Sequence, residues 1–288
     1  MKLSRGEKIY VFLMNVLAVI CGLICLLPVL NLASKSLSSV KAVSGNSVLF
    51  WPVEFTTVGW QYIWVYTSYT RSLMNSVINT LCGTLLSLGI TILTAYALAH
   101  PELKGRKVII YLYVISMVFS AGTLPMYFQL NSYNLLNTRW SLILPHLVSP
   151  YYTFVLKSGF ESVPDSLEEA ARIDGASYTR TLTSIVLPVS KASIATIVIF
   201  TAVAYWNRYF DALIYITRQP LKPLSLLLYE VIKLAKMEDT NDEIYGQTLS
   251  QVIKDASMVI MTILPILLIY PFMQRYFVKG VMVGSVKG

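Results

Sequence analysis

Residues 72–99 read SLMNSVINTLCGTLLSLGITILTAYALA, a run without a single Asp, Glu, Lys or Arg. About 20 mainly apolar residues cross the ~30 Å hydrocarbon core of a bilayer as a helix, which satisfies its own backbone polar groups there. Outward from this run, residues 9–34, 108–138, 140–156, 192–207 and 256–274 are equally free of charge. The two shorter windows extend through Tyr or Phe at their edges. The chain has 288 residues, 55% hydrophobic and only 13% charged, with mean hydropathy +0.60. Soluble domains carry about 25% charged residues, so a water-soluble enzyme, a disordered chain and a secreted protein are all excluded. The sequence predicts an all-α membrane protein with six transmembrane helices, over 10–32, 74–98, 108–130, 140–158, 191–213 and 256–276.

The net charge of +8 does not mark a nucleic-acid surface, because no basic stripe is interleaved with stacking aromatics. Topology accounts for it better. Lys2, Arg5 and Lys8 precede the first window; Lys104, Arg106 and Lys107 follow the second; Lys157, Arg172, Arg180 and Lys191 follow the fourth; Arg275, Lys279 and Lys287 end the chain. Alternate connections hold fewer basic residues, or balance them with acids as in 218–255. Basic excess marks the cytoplasmic side, so both termini are expected inside, which requires an even number of spans. The first window lacks a small-x-small cleavage site at Asn31-Leu32-Ala33 and reads as a retained helix rather than a signal peptide. Trp51, Trp60, Tyr62, Trp64, Tyr66 and Tyr69 suit the outer interface. Cys21, Cys25 and Cys82, all inside apolar windows, read as small buried hydrophobes.

Two hydrophilic stretches remain, 157–191 inside and 218–255 outside. In the first, Pro164 prevents continuation of the preceding helix, Ser166 with Glu169 fits a capping box, and Gly175 can end a short helix in the left-handed conformation. Tyr178–Leu187 follows as a second short helix stopped by Pro188, making a helix–turn–helix elbow over 163–188. Ala170 and Ala171 keep the first helix slim enough for a groove, and Glu168, Glu169, Arg172 and Asp174 supply charges for pairing there.

Glu169-Ala170-Ala171, three residues, Gly175, nine residues, Ile185, one residue and Leu187-Pro188 match the EAA motif of ABC-type importer permeases at every position. By residue frequency such a match arises on the order of once in 10⁸ windows. The chain also resembles the carbohydrate-uptake branch of that family, typified by the smaller maltose-importer permease. It does so through Tyr96-Ala97-Leu98-Ala99, Gly105-Arg106, Leu135-Leu136-Asn137-Thr138, Ile173-Asp174-Gly175-Ala176, Trp206-Asn207 and Gln274–Gly280 with Val286-Lys287-Gly288. Lys191 departs from the pattern, standing where a second proline is common. The resemblance implies a type I ABC importer permease fold, one permease domain over 1–288 with its core over 72–280, in a bacterial cytoplasmic membrane. It also implies a second homologous permease, two ATPase subunits that bind ATP and Mg, an extracytoplasmic solute-binding protein and an oligosaccharide or polysaccharide-fragment cargo. The coupling residues would be Glu168, Glu169, Ala170, Ala171, Arg172, Asp174, Gly175, Leu187 and Pro188. The chain itself has no phosphate loop and no Gly-Lys pair, so nucleotide is expected to bind elsewhere. No catalytic residue, metal site or cofactor is expected in this chain.

Polar residues inside spans are costly unless they face a cavity or the bundle interior. Asn75 and Asn79 in the second window, with Tyr205, Trp206, Asn207 and Tyr209 in the fifth, are therefore the candidate solute path. Aromatic faces stack on sugar CH surfaces, and amides exchange hydrogen bonds with hydroxyls. Arg208 and Asp211, three residues apart, can instead pair with each other. Pro125, Pro145 and Pro265 are expected to kink their spans, and His146 to be a hydrogen-bonded packing residue. In the outer loop, Leu224–Ala235 is amphipathic and Glu238–Glu243 acidic, either a solvated loop or a dock for the binding protein. The tail Gly280–Gly288 is expected to be flexible. An anionic cargo such as a glycerophosphodiester would use Arg139 or Arg208. An ion-coupled transporter would need inverted repeats and midplane carboxylates. A membrane-embedded enzyme would need a metal cluster or a nucleophile–base pair.

Overall fold

The computed structural model of the chain describes residues 5–234, 243–244, 247–248 and 250–285. In chain order the helices are α1 (Arg5–Ser36), α2 (Val40–Ser44), α3 (Val58–Tyr66), α4 (Tyr69–Ala99), α5 (Arg106–Val118), α6 (Thr123–Ser132), α7 (Trp140–Ile143) and α8 (Pro150–Phe160). There follow α9 (Asp165–Ile173), α10 (Tyr178–Thr181), α11 (Leu187–Val189), α12 (Lys191–Trp206), α13 (Tyr209–Tyr215), α14 (Leu224–Leu234) and α15 (Gln251–Ser285). A two-residue antiparallel ladder pairs Glu243–Ile244 with Gln247–Thr248. Among the described residues three helices are long and apolar enough to cross a membrane, within α1, α4 and α15; two bent pairs bring the number to five if each is one span.

The windows predicted as unbroken helices at 108–130, 140–158 and 191–213 are interrupted, each for a local reason. The third bends by 114° between α5 and α6, where Gly122 takes φ +83°. Pro125 kinks nothing: it lies in the first turn of α6, where its missing N–H would have no helical partner anyway. The fourth is split into α7, a 3₁₀ turn over Leu144–His146 that contains Pro145, and α8, which starts on Pro150. Ser149 caps α8, its Oγ accepting from the Tyr152 N–H at 3.4 Å. The fifth stops at Trp206, and α13 begins after Asn207 and Arg208. Pro265, by contrast, sits within α15 without ending it.

The chain divides into two compact units. One comprises residues 1–70 and 227–265. Here Ala42, Val43, Val48 and Ile253 form a small core, and Gly59 lies so close to Ile253 and Ser257 that a side chain would not fit. The expected aromatic belt splits in this unit. Trp51 and Trp64 are exposed, whereas Trp60 donates from Nε1 to Ser36 Oγ at 3.2 Å and the Tyr69 hydroxyl donates to the Met261 carbonyl at 3.0 Å. Every side chain from 6 to 30 in α1 is exposed. The second unit, 71–226 and 266–288, has its core where the end of α4 meets α8 and the segment after α9. Ala95, Leu156, Phe160, Val163, Leu182, Val186 and Ile197 fill it.

The cysteines correct an expectation. Cys21, Cys25 and Cys82 are free thiols on exposed faces of α1 and α4, not buried, because an apolar face that lipid can cover has no need of protein around it. Of the loop 218–255, Leu224–Leu234 is helical as its amphipathic pattern predicts, with Leu224, Leu226 and Leu227 buried. Of the acidic run Glu238–Glu243, residues 238–242 lie outside the described residues, as do Val286–Gly288 at the tail. The backbone of α15 is helical through Ser285.

Candidate coupling elbow and solute path

The elbow forms with its predicted two arms and with different ends. Pro164 is extended at φ −59° and ψ 128°, which separates α9 from α8. The capping box does not form: α9 begins at Asp165, Ser166 is already inside it, and Pro164 makes no side-chain cap. Asp165 and Glu168 in the first turn instead oppose the positive end of the helix dipole. At the other end Gly175 is left-handed, φ +76°, as expected. Its N–H donates to the Arg172 carbonyl at 3.0 Å and that of Ala176 to Ala171 at 2.9 Å, the paired bonds of a Schellman cap.

Pro188 does not stop the second arm either. It lies within α11, and the helical path from α10 reaches it through a π turn over Leu182–Val186. Proline offers no N–H to the carbonyl four residues earlier, and the wider turn accommodates that loss. The path breaks at Ser190 instead, where α12 leaves at 83° to the 178–189 segment. Leu182 and Val186 are buried in the unit core, so this arm is fixed by packing.

No residue of α9 is buried. Glu169, Ala170, Asp174 and Gly175 are exposed, as are the apolar side chains of Leu167 and Ile173. Two of the four expected charges are engaged within the chain: Glu168 Oε2 stands 3.3 Å from His100 Nε2, and Arg172 Nη1 stands 3.6 Å from Glu102 Oε1. Arg172 also lies over the Tyr178 ring at 5.4 Å. Glu169 and Asp174 make no ion pair among the described residues. Leu187 is half-buried and Pro188 exposed.

The candidate path residues do not share one surface. Asn75 is buried and fully used: its Nδ2 donates to the carbonyls of Pro220 at 2.9 Å and Lys222 at 3.0 Å, and its Oδ1 accepts from Arg139 Nη2 at 2.7 Å. Asn79 is buried with Oδ1 unpartnered. Tyr205 and Trp206 are buried as well; the Tyr205 hydroxyl donates to the Ile143 carbonyl at 3.2 Å. The Tyr205 ring lies against Gly83, where a Cβ would stand 2.6 Å from it, so glycine is required for that close approach of α4. Only Asn207 and Tyr209 are exposed. Arg208 Nη1 donates to Asp211 Oδ2 at 3.1 Å, the pairing its spacing allowed, and His146 Nε2 shares the same oxygen at 2.7 Å.

Sequence reading passed over Asn137 as a single residue. It has φ +56°, and its Oδ1 accepts from Thr217 N–H at 2.7 Å, Thr217 Oγ1 at 2.9 Å and Arg218 N–H at 3.0 Å, tying the 134–139 turn to the end of α13. The available signal was an Asn in a turn-rich stretch, a residue that tolerates left-handed backbone. His100 and Glu102 were also missed, because nothing in local spacing links residue 100 to residue 168.

A protein-family model described as "Binding-protein-dependent transport system inner membrane component" matches residues 87–283, which include the elbow and both of its flanking helices. The chain belongs to this permease family. Among its relatives, Protein LplC of Bacillus subtilis (strain 168) is 38% identical over 269 residues, 93% of this chain and 91% of that protein. The polygalacturonan/rhamnogalacturonan transport system permease protein YtcP of the same organism is 37% identical over 270 residues, covering 93% and 94%. Among solved structures, a chain of a bacterial ABC transporter involved in the import of the acidic polysaccharide alginate superposes with TM-score 0.86 at 28% identity, over 96% of this permease and 99% of that chain. Among the described residues of the permease no His, Cys, Asp and Glu group has metal-holding geometry.

Proposed function

We propose that this permease is one of two homologous membrane subunits of an ATP-driven importer of oligosaccharides or polysaccharide fragments. It crosses the bacterial cytoplasmic membrane six times with both termini inside, three of the crossings being the interrupted helices. Two separate ATPase subunits hold ATP and Mg, and an extracytoplasmic solute-binding protein delivers the cargo. The elbow lies on the cytoplasmic side, where α9 seats in a cleft of an ATPase.

The observation that carries this reading is the state of α9. It is a nine-residue helix with a built C-terminal cap and no fully buried residue, only Glu168 and Ala171 being half-buried, so most of its surface is open to a partner. Leu167, Ile173, Glu169 and Asp174 present the mixed apolar and acidic surface expected of a helix that docks in a groove. ATPase closure then rocks the attached helices between two packings, an alternating-access switch. For cargo, the names of the relatives point to polysaccharide fragments. An anionic cargo held by Arg208 is disfavoured because Asp211 already neutralises that side chain.

Purification of the complex with its binding protein, followed by mass spectrometry of the retained ligand, tests the cargo. An oligosaccharide is the expected result. A glycerophosphodiester or another non-carbohydrate solute would overturn the carbohydrate reading while leaving the architecture standing.

A further inference from the structure

We infer that His100, set against Glu168, makes α4 a second lever of the elbow, so that elbow movement reaches the far end of α4 as well as the helices joined to the elbow by the chain. The inference rests on the reading that α9 takes up ATPase movement, and it adds a positioning residue that the EAA motif does not contain.

The contact is built on both sides. His100 Nε2 stands 3.3 Å from Glu168 Oε2, a close approach without hydrogen-bond geometry, with the two side chains 16% and 19% exposed, so water reaches the contact only in part. The imidazole meets Tyr96 edge-on at 4.5 Å and Tyr178 at 5.8 Å. Aromatic neighbours from both α4 and α10 therefore hold the ring in place. Glu102 and Arg172 add a looser, exposed contact one turn along α9. Together these two contacts link α9 to the residues that follow α4.

His100 directly follows α4, an unbroken helix of 31 residues, about 46 Å long at 1.5 Å per residue. Its near end is fixed in the unit core through Ala95, Tyr96 and Leu98. Midway, Ser87 Oγ donates to the Leu147 carbonyl at 2.9 Å, inside the interruption between α7 and α8. At the far end Asn75 holds Arg139 and the Pro220 and Lys222 carbonyls, and Ser76 Oγ accepts from the Leu224 N–H at 2.8 Å. A displacement applied at His100 thus arrives at one interruption, at Leu147, and at the connections that precede α7 and α14. The chain route from the elbow to α12 is more compliant, since it runs through a π turn and then an 83° bend. Such turns absorb displacement that a regular helix transmits.

The test uses the whole complex, reconstituted in vesicles with its loaded binding protein, carrying His100→Leu or His100→Gln. Two quantities are read: ATPase subunits retained on purification, and solute transported per ATP hydrolysed. For His100→Leu the subunits should be retained while solute per ATP falls by about tenfold, the size of a typical coupling term. His100→Gln keeps a polar side chain within reach of Glu168 and should stay within about threefold of the parent. An unaltered ratio in His100→Leu would overturn the lever, as would equal losses in the two variants. Shedding of the ATPase subunits would also overturn it, by reducing His100 to a support of elbow folding. Failure of the elbow reading has a different signature: Glu169→Lys would then leave solute per ATP unchanged while His100→Leu still lowered it.

Discussion

Glu169→Lys is expected to abolish solute uptake while leaving the protein in the membrane in normal amount. Glu169 is exposed on α9, and among the described residues the change breaks no ion pair to it. Lysine is a good helix former, so α9 is not weakened through propensity. The effect falls on docking alone. Reversing a charge that becomes buried against a partner costs about 2–5 kcal/mol, on the order of 30- to several thousand-fold in the docked population. Uptake of labelled oligosaccharide and the amount of chain in the membrane fraction check it together. Normal uptake in Glu169→Lys would remove this residue from the coupling surface.

The second large effect is at Gly175, where the backbone and not the available space sets the limit. A Cβ there would meet nothing within 4 Å, yet the left-handed φ of +76° remains costly for any side chain. Gly175→Asn should be the mildest change, because Asn visits this region readily; Gly175→Ala should cost about 1–2 kcal/mol. Gly175→Pro fixes φ near −65° and deletes the N–H that reaches Arg172, a loss of roughly 3 kcal/mol or more. An exposed helix of nine residues has little stability of its own to absorb that, so its last turn should unwind and Asp174 with it. Uptake is expected in the order Gly, Asn, Ala, Pro, with proline near zero. Equal uptake across the series would mean that the shape of the cap is irrelevant to coupling.

Charge-free apolar runs identified the long helices in α1, α4 and α15, because solvation by lipid acts along a whole span. The same runs concealed the interruptions at Gly122, Pro145 and Asn207, since hydropathy reports which solvent a segment meets and not whether its helix is continuous. The elbow was legible through Pro164 and Gly175, whose backbone restrictions act locally. Pro188 misled, because a π turn relieved the strain that a proline usually imposes. Asn75 marks a limit of that reading: a polar residue in a span signals a polar partner, and here Arg139 and two backbone carbonyls of the same chain are partners. The contacts of Glu168 with His100 and of Asn137 with Thr217 join residues far apart in the chain, so no local pattern encodes them.

The central claim is that the exposed face of α9 draws work from a separate nucleotide-hydrolysing subunit on the cytoplasmic side. It is tested most directly by Ala170→Cys in a chain whose Cys21, Cys25 and Cys82 have been replaced. A membrane-impermeant maleimide is applied to sealed vesicles of each orientation, with and without the ATPase subunits assembled. The account predicts labelling from the cytoplasmic side only, and protection of the thiol once the ATPase is bound. Labelling from the outer side, or equal labelling with the ATPase in place, would contradict it.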